Sequence, residues 1–247
     1  MHRSDLYARR ASSFGANAQA YAEHRPDYPA EAIEWIIDDR GRVLDLGAGT
    51  GKLTAGLLAF GVEIVAVEPD AAMRAELTAR YPDVPIRDGN AEHIPLRDGS
   101  VEAVMVGQAF HWFNTPEAMS EIARVLKPGG VFGALWNADD ESVPWVRGMM
   151  ELASTSLGGL GSTGDRPVPS HELLAAAETA EFRHSQRRTV ESMMTTLGTH
   201  SHIAVLDDAE RTTVVDRVRR YLEMRMETAT GEFDRPLVTT AVRAVRR

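Results

Sequence analysis

Residues 43–54 read VLDLGAGTGKLT, and this stretch decides the fold. A short apolar run carries Asp45, and the chain then passes through Gly47, Gly49 and Gly51 into a segment with leucines at helical spacing. Glycine adopts positive φ without strain, and it lets a ligand approach the backbone closely. A buried strand, a glycine-rich turn and a helix in this order predict the ligand-binding edge of an open parallel sheet.

Short β-branched runs follow this stretch and alternate with helical patterns. Near-continuous apolar runs are typical of parallel strands that are covered on both faces. The predicted strands are Arg42–Leu46, Glu63–Val67, Val84–Arg87, Val101–Val106, Gly130–Trp136, Phe182–Arg188 and Leu237–Val245. Strand–helix alternation of this kind predicts an α/β fold with a doubly wound, mostly parallel sheet.

Helical periodicity fills the intervals between the strands. Residues 1–40 form a predicted helical preface with three isoleucines on one face. Pro116 is expected to begin a helix, because proline is favoured in the first turn of a helix. The Lys-Pro-Gly-Gly sequence at 127–130 is expected to end that helix. Later helices are predicted over Val143–Ser156, from Ser170, and from about Asp207 to Thr228, with a glycine- and proline-rich loop at 157–170.

The composition excludes several classes of protein. The chain has 247 residues, no cysteine and a formal net charge of −9. Without cysteine it has no disulfide, zinc–thiolate site, iron–sulfur cluster or thiol nucleophile. The negative charge disfavours nucleic acid and anionic membranes as partners. Residues 1–15 begin with charged side chains and lack the apolar core of a secretory signal, and no stretch approaches the length of a membrane span, so we expect a cytoplasmic protein with no membrane partner.

Three kinds of ligand compete for the glycine loop. A phosphate-binding P-loop needs GxxxxGK[ST], whereas here the outer glycines are one residue too close and leucine follows the lysine. A dinucleotide loop needs GxGxxG and would bring its pyrophosphate close to the carboxylate of Asp45. That carboxylate instead suits a cation beside a ribose, which are features of S-adenosylmethionine. Glu68 follows the second strand, 23 residues beyond Asp45, near the spacing expected of an acid that binds ribose hydroxyls.

Five ordered motifs make the chain resemble the class I S-adenosylmethionine-dependent methyltransferases, in the small-molecule group called type 11. These are VLDLGAGTGKLT (43–54), VAVEPDAAM (65–73), GNAEHIPLRDGSVEAVMVGQAFHWF (89–113), which covers two of them, and ARVLKPGGVFGALW (123–136). FGANAQAYAEHRPDYP (14–29) and residues 108–113 are similar to the branch that contains trans-aconitate-type methyltransferases. The resemblance implies a seven-stranded sheet with a small helical cap, in which Leu237–Val245 lies beside the fifth strand.

The resemblance also implies a cofactor site along the carboxyl ends of the strands. Asp45 would hold the ammonium side of S-adenosylmethionine, and Glu68 would bind its ribose hydroxyls. Asn90 stands where the family usually has aspartate, at the edge of the adenine. The predicted cofactor-binding residues are Arg25, Asp45, Gly47, Ala48, Gly49, Gly51, Glu68, Pro69, Met73, Asn90, Ala91, Gln108 and Ala109.

Residues after the fourth strand and in the preface are the candidates for chemistry. His111 is a candidate general base, with orientation of its neighbour as the alternative role. The resemblance implies that Tyr21 faces the methyl group or the substrate, with a packed tyrosine before a helix-ending turn as the alternative. Four aromatic residues could form an apolar wall of the acceptor pocket, and the alternative is that they belong to the hydrophobic core. These are Trp112, Phe113, Trp136 and Trp145.

Two further groups of side chains have the residue types of a binding site. His200 and His202 have no third ligand in the sequence, so no metal site is predicted. Arginines within 183–188 and 217–225 predict a solvated face paired with acids, and a clamp for an anionic substrate is the alternative.

We interpret residues 1–247 as a single methyltransferase domain. Its expected parts are a preface (1–40), a cofactor-binding half (41–136), a cap insertion (137–180) and C-terminal strands and helices (181–247). The predicted reaction is methyl transfer from S-adenosylmethionine to an O, N or C nucleophile of a small molecule, with carboxylates among the acceptors considered. An NAD(P)-dependent oxidoreductase and a non-catalytic S-adenosylmethionine-binding protein are the alternatives.

Overall fold

The computed structural model describes residues 26–155, 168–198, 203 and 205–247. Its helices are α1 (Ala30–Ile37), α2 (Lys52–Leu58), α3 (Ala71–Arg80), α4 (Pro116–Val125), α5 (Pro144–Ala153), α6 (Val190–Gly198) and α7 (Asp208–Glu223). Its strands are β1 (Arg42–Leu46), β2 (Glu63–Val67), β3 (Ile86–Arg87), β4 (Val101–Gly107), β5 (Leu126–Asp139), β6 (Glu178–Arg188) and β7 (Phe233–Val245). A short 3-10 turn, Phe110–Trp112, follows β4.

The seven strands form one mixed sheet in the order β3-β2-β1-β4-β5-β7-β6. The first five pair in parallel with their neighbours. β7 runs in the opposite direction beside β5, because the N–H groups of Gly129 and Asp140 donate to the carbonyls of Arg246 and Pro236 at opposite ends of β7. The predicted α/β sheet is therefore confirmed, including the place of its last strand. The strand order reverses between β1 and β4, which is where ligands bind in open α/β sheets.

Side-chain caps fix where the site-bearing helices begin. The Asp70 carboxylate accepts the Met73 N–H at 2.9 Å at the start of α3. The Thr115 hydroxyl accepts the Ala118 N–H at 3.2 Å, so α4 begins at Pro116 as predicted. Both helices therefore start directly after the loops that follow β2 and β4.

Most elements after β2 differ from the sequence prediction in their bounds: β3 begins later than predicted, β6 and β7 begin earlier, β4 ends one residue later, and α5 is shorter. β5 begins at Leu126, so the Lys-Pro-Gly-Gly stretch lies within the strand, where an irregular register between Val101 and Ala103 of β4 accommodates it. The helix predicted from Ser170 is wrong, because residues 170–177 form a turn and a single bridge to the end of β7. α7 ends at Glu223, before the predicted end.

One helix, α6, was missed by the sequence analysis. Its start is marked by Thr189 and Ser192, whose side chains each accept the other's backbone N–H. This reciprocal arrangement satisfies backbone donors at a helix N-terminus in the manner of a capping box. The pattern Thr-x-x-Ser is a recognisable signal, although two threonines later in the helix weaken the helical propensity.

The described chain groups into two compact units. The sheet unit comprises residues 26–137, 168–182 and 239–247. The helical unit comprises residues 138–155, 183–198, 203 and 205–238. The division of one domain into preface, cofactor half, cap insertion and C-terminal part stays a prediction.

The sheet unit has a hydrophobic core on each face of its parallel strands. Alternate residues of β4 point to opposite faces, as expected for a strand. Val104 and Val106 pack with α4 on one face, whereas Ala103 and Met105 pack with α1 on the other. The isoleucines of the predicted preface face, Ile33, Ile36 and Ile37, are buried in this second core. Helices on both faces hold the carboxyl ends of the strands rigidly in place.

The helical unit has its own core between α5, α6 and α7. Trp145 of α5 packs edge-on against Phe233 at 5.8 Å, and the Tyr221 hydroxyl donates to the Trp145 carbonyl at 3.1 Å. Arg183, Arg187 and Arg219 form ion pairs with acids, as the solvated-face interpretation predicts, whereas Arg188 is buried and departs from it. None of the helices in the described ranges is long and apolar enough to cross a membrane.

Candidate functional site

The predicted site residues converge at the carboxyl ends of three neighbouring strands. Asp45 lies opposite Ala66 of β2 and Met105 of β4 in the sheet register. Glu68 directly follows β2, and Gln108 directly follows β4. Because parallel strands end at the same edge of the sheet, these polar side chains surround one crevice.

The glycine loop is tied to β2 by main-chain hydrogen bonds. The N–H groups of Gly47 and Ala48 both donate to the Val67 carbonyl, at 2.8 and 3.1 Å. Gly47, Gly49 and Gly51 all have positive φ, of 69°, 57° and 93°. A Cβ on Gly47 would lie 3.1 Å from the Ala109 Cβ, so the loop passes close to the segment after β4. The predicted strand–turn–helix arrangement is confirmed.

Replacing Gly51 with alanine is expected to destabilise the fold by about 2–4 kcal/mol. The new Cβ would lie 2.5 Å from a Leu77 methyl group and 2.6 Å from the Tyr81 ring, at a φ that alanine rarely adopts. Gly61→Ala is the matched control, because Gly61 has φ 68° and no atom within 4 Å of the new Cβ. Chemical denaturation of both variants measures the difference. Equal losses would show that backbone strain alone, and not the clash, decides the role of Gly51.

Glu68 organises the loop through both of its carboxylate oxygens. Oε2 accepts the Gly49 N–H and Oε1 accepts the Asp70 N–H, both at 2.9 Å. Burial raises the pKa of this carboxyl, which is 6% exposed, while these two hydrogen bonds oppose the rise. A carboxylate accepts about four hydrogen bonds, so Glu68 keeps capacity for a diol.

Asp45 is a fully buried carboxyl group with one oxygen left over. Its Oδ2 accepts the Thr54 hydroxyl at 2.6 Å, and its Oδ1 has no hydrogen-bond partner in the described chain. Burial raises the pKa of Asp45 to about 7, the Thr54 hydrogen bond opposes this, and the nearby Glu68 charge adds to it. A buried carboxylate oxygen without a partner is costly, so a bound ligand that supplies a cation or a donor fits this position.

The predicted adenine side combines buried apolar residues with exposed ones. Met73 and Ala91 are 7% and 3% exposed, and the Met73 sulfur lies 3.7 Å from where a Cβ of Gly49 would be. Pro69 and Asn90 are exposed. Asn90 forms an isolated antiparallel bridge with His93, which fixes the backbone of this turn.

The segment after β4 has a strained backbone. Gln108 has φ 56°, which costs about 1–3 kcal/mol in a residue other than glycine. Its N–H donates to the Leu135 carbonyl and its side-chain amide to the Asn137 carbonyl, both at 2.8 Å. These bonds to β5 hold the strained conformation and bring Ala109 against the glycine loop.

The aromatic candidates divide into two groups. His111 is exposed, and its ring lies 4.8 Å from that of the half-buried Trp112. Phe113 is half-buried and lies against Gly47 of the loop, with its Cε1 3.4 Å from the position of a Cβ there. Trp136 and Trp145 are 3% and 6% exposed and enclosed by core side chains, which is the alternative that the sequence left open for them.

Several candidates lie outside the described residues, namely Tyr21, Arg25, His200 and His202. Their predicted roles stay predictions. Within the described ranges, no group of three or more histidine, aspartate or glutamate side chains is arranged to hold a metal ion.

Sequence reasoning missed two polar residues that organise the site. Thr54 lies nine residues after Asp45, within the quoted motif, but its contact with Asp45 depends on how α2 packs on β1. Asn137 accepts the Thr239 hydroxyl at 2.5 Å and donates to the Pro26 and Asp27 carbonyls. Asn137 thereby ties the chain before α1 to the end of β5. Only the tertiary structure brings these segments together.

Comparisons with known proteins agree with this geometry. The family described as a methyltransferase domain matches residues 44–134. An uncharacterised methyltransferase of Mycobacterium tuberculosis is 40% identical over 238 residues, which cover 94% of this chain and 95% of that protein. An uncharacterised methyltransferase-like protein of Schizosaccharomyces pombe is 37% identical over 213 residues, 81% of each chain. A solved structure of a candidate type II methyltransferase from Anaeromyxobacter dehalogenans has a TM-score of 0.68 and 25% identity, covering 90% of this chain and 97% of that one.

Proposed function

Because this chain belongs to the class I S-adenosylmethionine-dependent methyltransferases, we propose that it methylates an O, N or C nucleophile of a small molecule. The observation that carries the proposal is the pair of buried carboxyl groups at neighbouring strand ends, Asp45 and Glu68, beside a loop of three positive-φ glycines. The oxidoreductase alternative places a pyrophosphate near these carboxyl groups, which is electrostatically unfavourable.

S-adenosylmethionine supplies a methyl group on a sulfonium, which is already an activated leaving group. Asp45 would face its ammonium group, Glu68 its ribose hydroxyls, and Met73 and Ala91 its adenine. The residues after β4 lie beyond the glycine loop, where an acceptor would meet the methyl group. Holding both reactants in line supplies most of the acceleration for such a transfer.

A small and partly apolar acceptor fits the residues available after β4. Trp112 and Phe113 are half-buried, so part of each ring stays accessible to a ligand. The net charge of −9 disfavours a polyanionic acceptor such as nucleic acid. The similarity of residues 14–29 and 108–113 to the trans-aconitate-type branch supports carboxylates as the first acceptors to test.

His111→Gln is expected to lower kcat about 100-fold if the acceptor is a hydroxyl or an amine. This is the lower end of the range for general acid–base catalysis, because the sulfonium needs little assistance. His111 is exposed near Trp112, so the substitution should leave cofactor affinity unchanged. Steady-state kinetics with S-adenosylmethionine and a panel of hydroxyl, amine and carboxylate acceptors measures the change. If the variant has the same kcat and the same dependence of kcat on pH as the wild type, His111 is not the general base.

The same panel tests the proposed function as a whole. We expect turnover with at least one class of small acceptor and the appearance of S-adenosylhomocysteine as product. Binding of S-adenosylmethionine without turnover across the panel would instead favour the non-catalytic alternative.

A further inference from the structure

Thr54 makes the only side-chain hydrogen bond that Asp45 receives in the described chain. The Thr54 hydroxyl donates to Asp45 Oδ2 at 2.6 Å, and both side chains are fully buried. Thr54 lies in the first turn of α2, directly after the glycine loop. We propose that Thr54 is a positioning residue, whose hydroxyl holds Asp45 in the rotamer and the ionised form that a cationic cofactor requires. This inference rests on the proposed function.

In the described part of the chain, no residue other than Thr54 stabilises a negative charge on Asp45. Its neighbours across the sheet, Ala66 of β2 and Met105 of β4, are apolar. Glu68, after β2, is a second carboxyl group and opposes ionisation of the first. Lys52 of α2 is paired with Asp27 at 2.8 Å. Among the described residues, therefore, Thr54 is the one that favours the charged form, mainly through its hydroxyl and more weakly through its backbone N–H.

This balance makes Asp45 a proton-releasing group near neutral pH. Burial raises the pKa of Asp45 to about 7, so a substantial fraction of the protein carries the proton at that pH. A ligand that places a cation beside Asp45 favours the ionised carboxylate, so the O–H bond breaks and the proton passes to the buffer. Affinity should therefore rise with pH up to about 7 and then level off.

Thr54 determines the pH at which the affinity for the ligand levels off. Removing its hydroxyl takes away the stronger of the two hydrogen bonds that Thr54 makes to the charged form, so the pKa of Asp45 should rise further. One hydrogen bond to a charged group corresponds to a shift of about one to two pH units. Thr54→Val keeps the branched shape without the hydroxyl, and Thr54→Ser keeps the hydroxyl.

Calorimetric titration of S-adenosylhomocysteine from pH 5.5 to 9 tests the inference without any acceptor. The affinity of Thr54→Val should be about tenfold lower than that of the wild type at pH 7 and should approach the wild-type value at pH 9. Thr54→Ser should follow the wild-type curve. Because all three proteins bind the same ligand, titration of the ligand's own amino group cancels in the comparison.

Proton release gives a second readout on the unmodified protein. At pH 6 the amino group of the ligand is already protonated, so the wild type should release about half a proton to one proton per ligand bound, as a pKa of about 7 implies. Titrations in two buffers of different ionisation enthalpy measure this number. Superimposable affinity profiles and equal proton release for wild type and Thr54→Val would overturn the role of Thr54 while leaving cofactor binding intact. Absence of binding at every pH would instead overturn the proposed function.

Discussion

Glu68→Ala is expected to weaken the binding of S-adenosylmethionine and S-adenosylhomocysteine by about 3–5 kcal/mol, on the order of 10³-fold in affinity. Two hydrogen bonds from ribose hydroxyls to a charged acceptor would be lost, each worth about 1.5–3 kcal/mol. The loop would lose its anchor as well, because Glu68 accepts the N–H groups of Gly49 and Asp70. Calorimetry with either ligand measures the loss.

Glu63→Ala is the matched control for this substitution. Glu63 lies at the other end of the same strand, with its side chain 67% exposed and paired with Arg42 at 3.0 Å. An exposed pair of this kind contributes about 0–1 kcal/mol, so the control should bind the cofactor as the wild type does. An unchanged affinity of Glu68→Ala for either ligand would show that Glu68 does not bind the ribose hydroxyls.

Asp139→Ala is expected to lower the free energy of unfolding by about 3–5 kcal/mol. Asp139 at the end of β5 accepts Arg235 Nε and Nη2 at 2.7 and 2.8 Å, and both side chains are nearly fully buried. Removing one partner leaves a buried guanidinium without its counter-charge, and the cost of that is larger than the net value of the pair. Denaturant unfolding followed by circular dichroism measures the change.

Two comparisons separate this effect from a general loss of ion pairing. Glu178→Ala removes the partner of Arg243 from a pair that is 64% exposed on the carboxylate side, and it should cost less than about 1 kcal/mol. The double variant Asp139→Leu, Arg235→Met should recover much of the loss, because it leaves no buried charge. A single Asp139→Ala variant as stable as the wild type would show that the buried charge is solvated in some other way.

The sequence was sufficient for the cofactor half of the fold. β1 and β2 have the predicted bounds, because buried parallel strands are continuous apolar runs with clear ends. The glycine loop, Asp45 and Glu68 could be placed because strand ends meet at one edge of the sheet. The start of α4 followed from Thr115 and Pro116, a local cap signal that needs no tertiary information.

The remaining features depend on contacts between distant parts of the chain. The Thr54–Asp45 bond requires the packing of α2 on β1, and the strained φ of Gln108 is held by β5. The buried ion pair of Asp139 and Arg235 joins residues 96 positions apart, so no local sequence pattern predicts it. Trp145 illustrates the same limit, because an aromatic residue on an apolar helix face gives the same sequence signal in a core as in a pocket.

Side-by-side calorimetric titration of S-adenosylhomocysteine and NADH into the wild-type protein at pH 8 tests the central claim most directly. At that pH Asp45 should be largely ionised, so its charge favours a cationic ligand and opposes a pyrophosphate. We expect saturable binding of S-adenosylhomocysteine with one ligand per chain and no heat of binding from NADH. Binding of NADH together with no binding of S-adenosylhomocysteine would contradict the account.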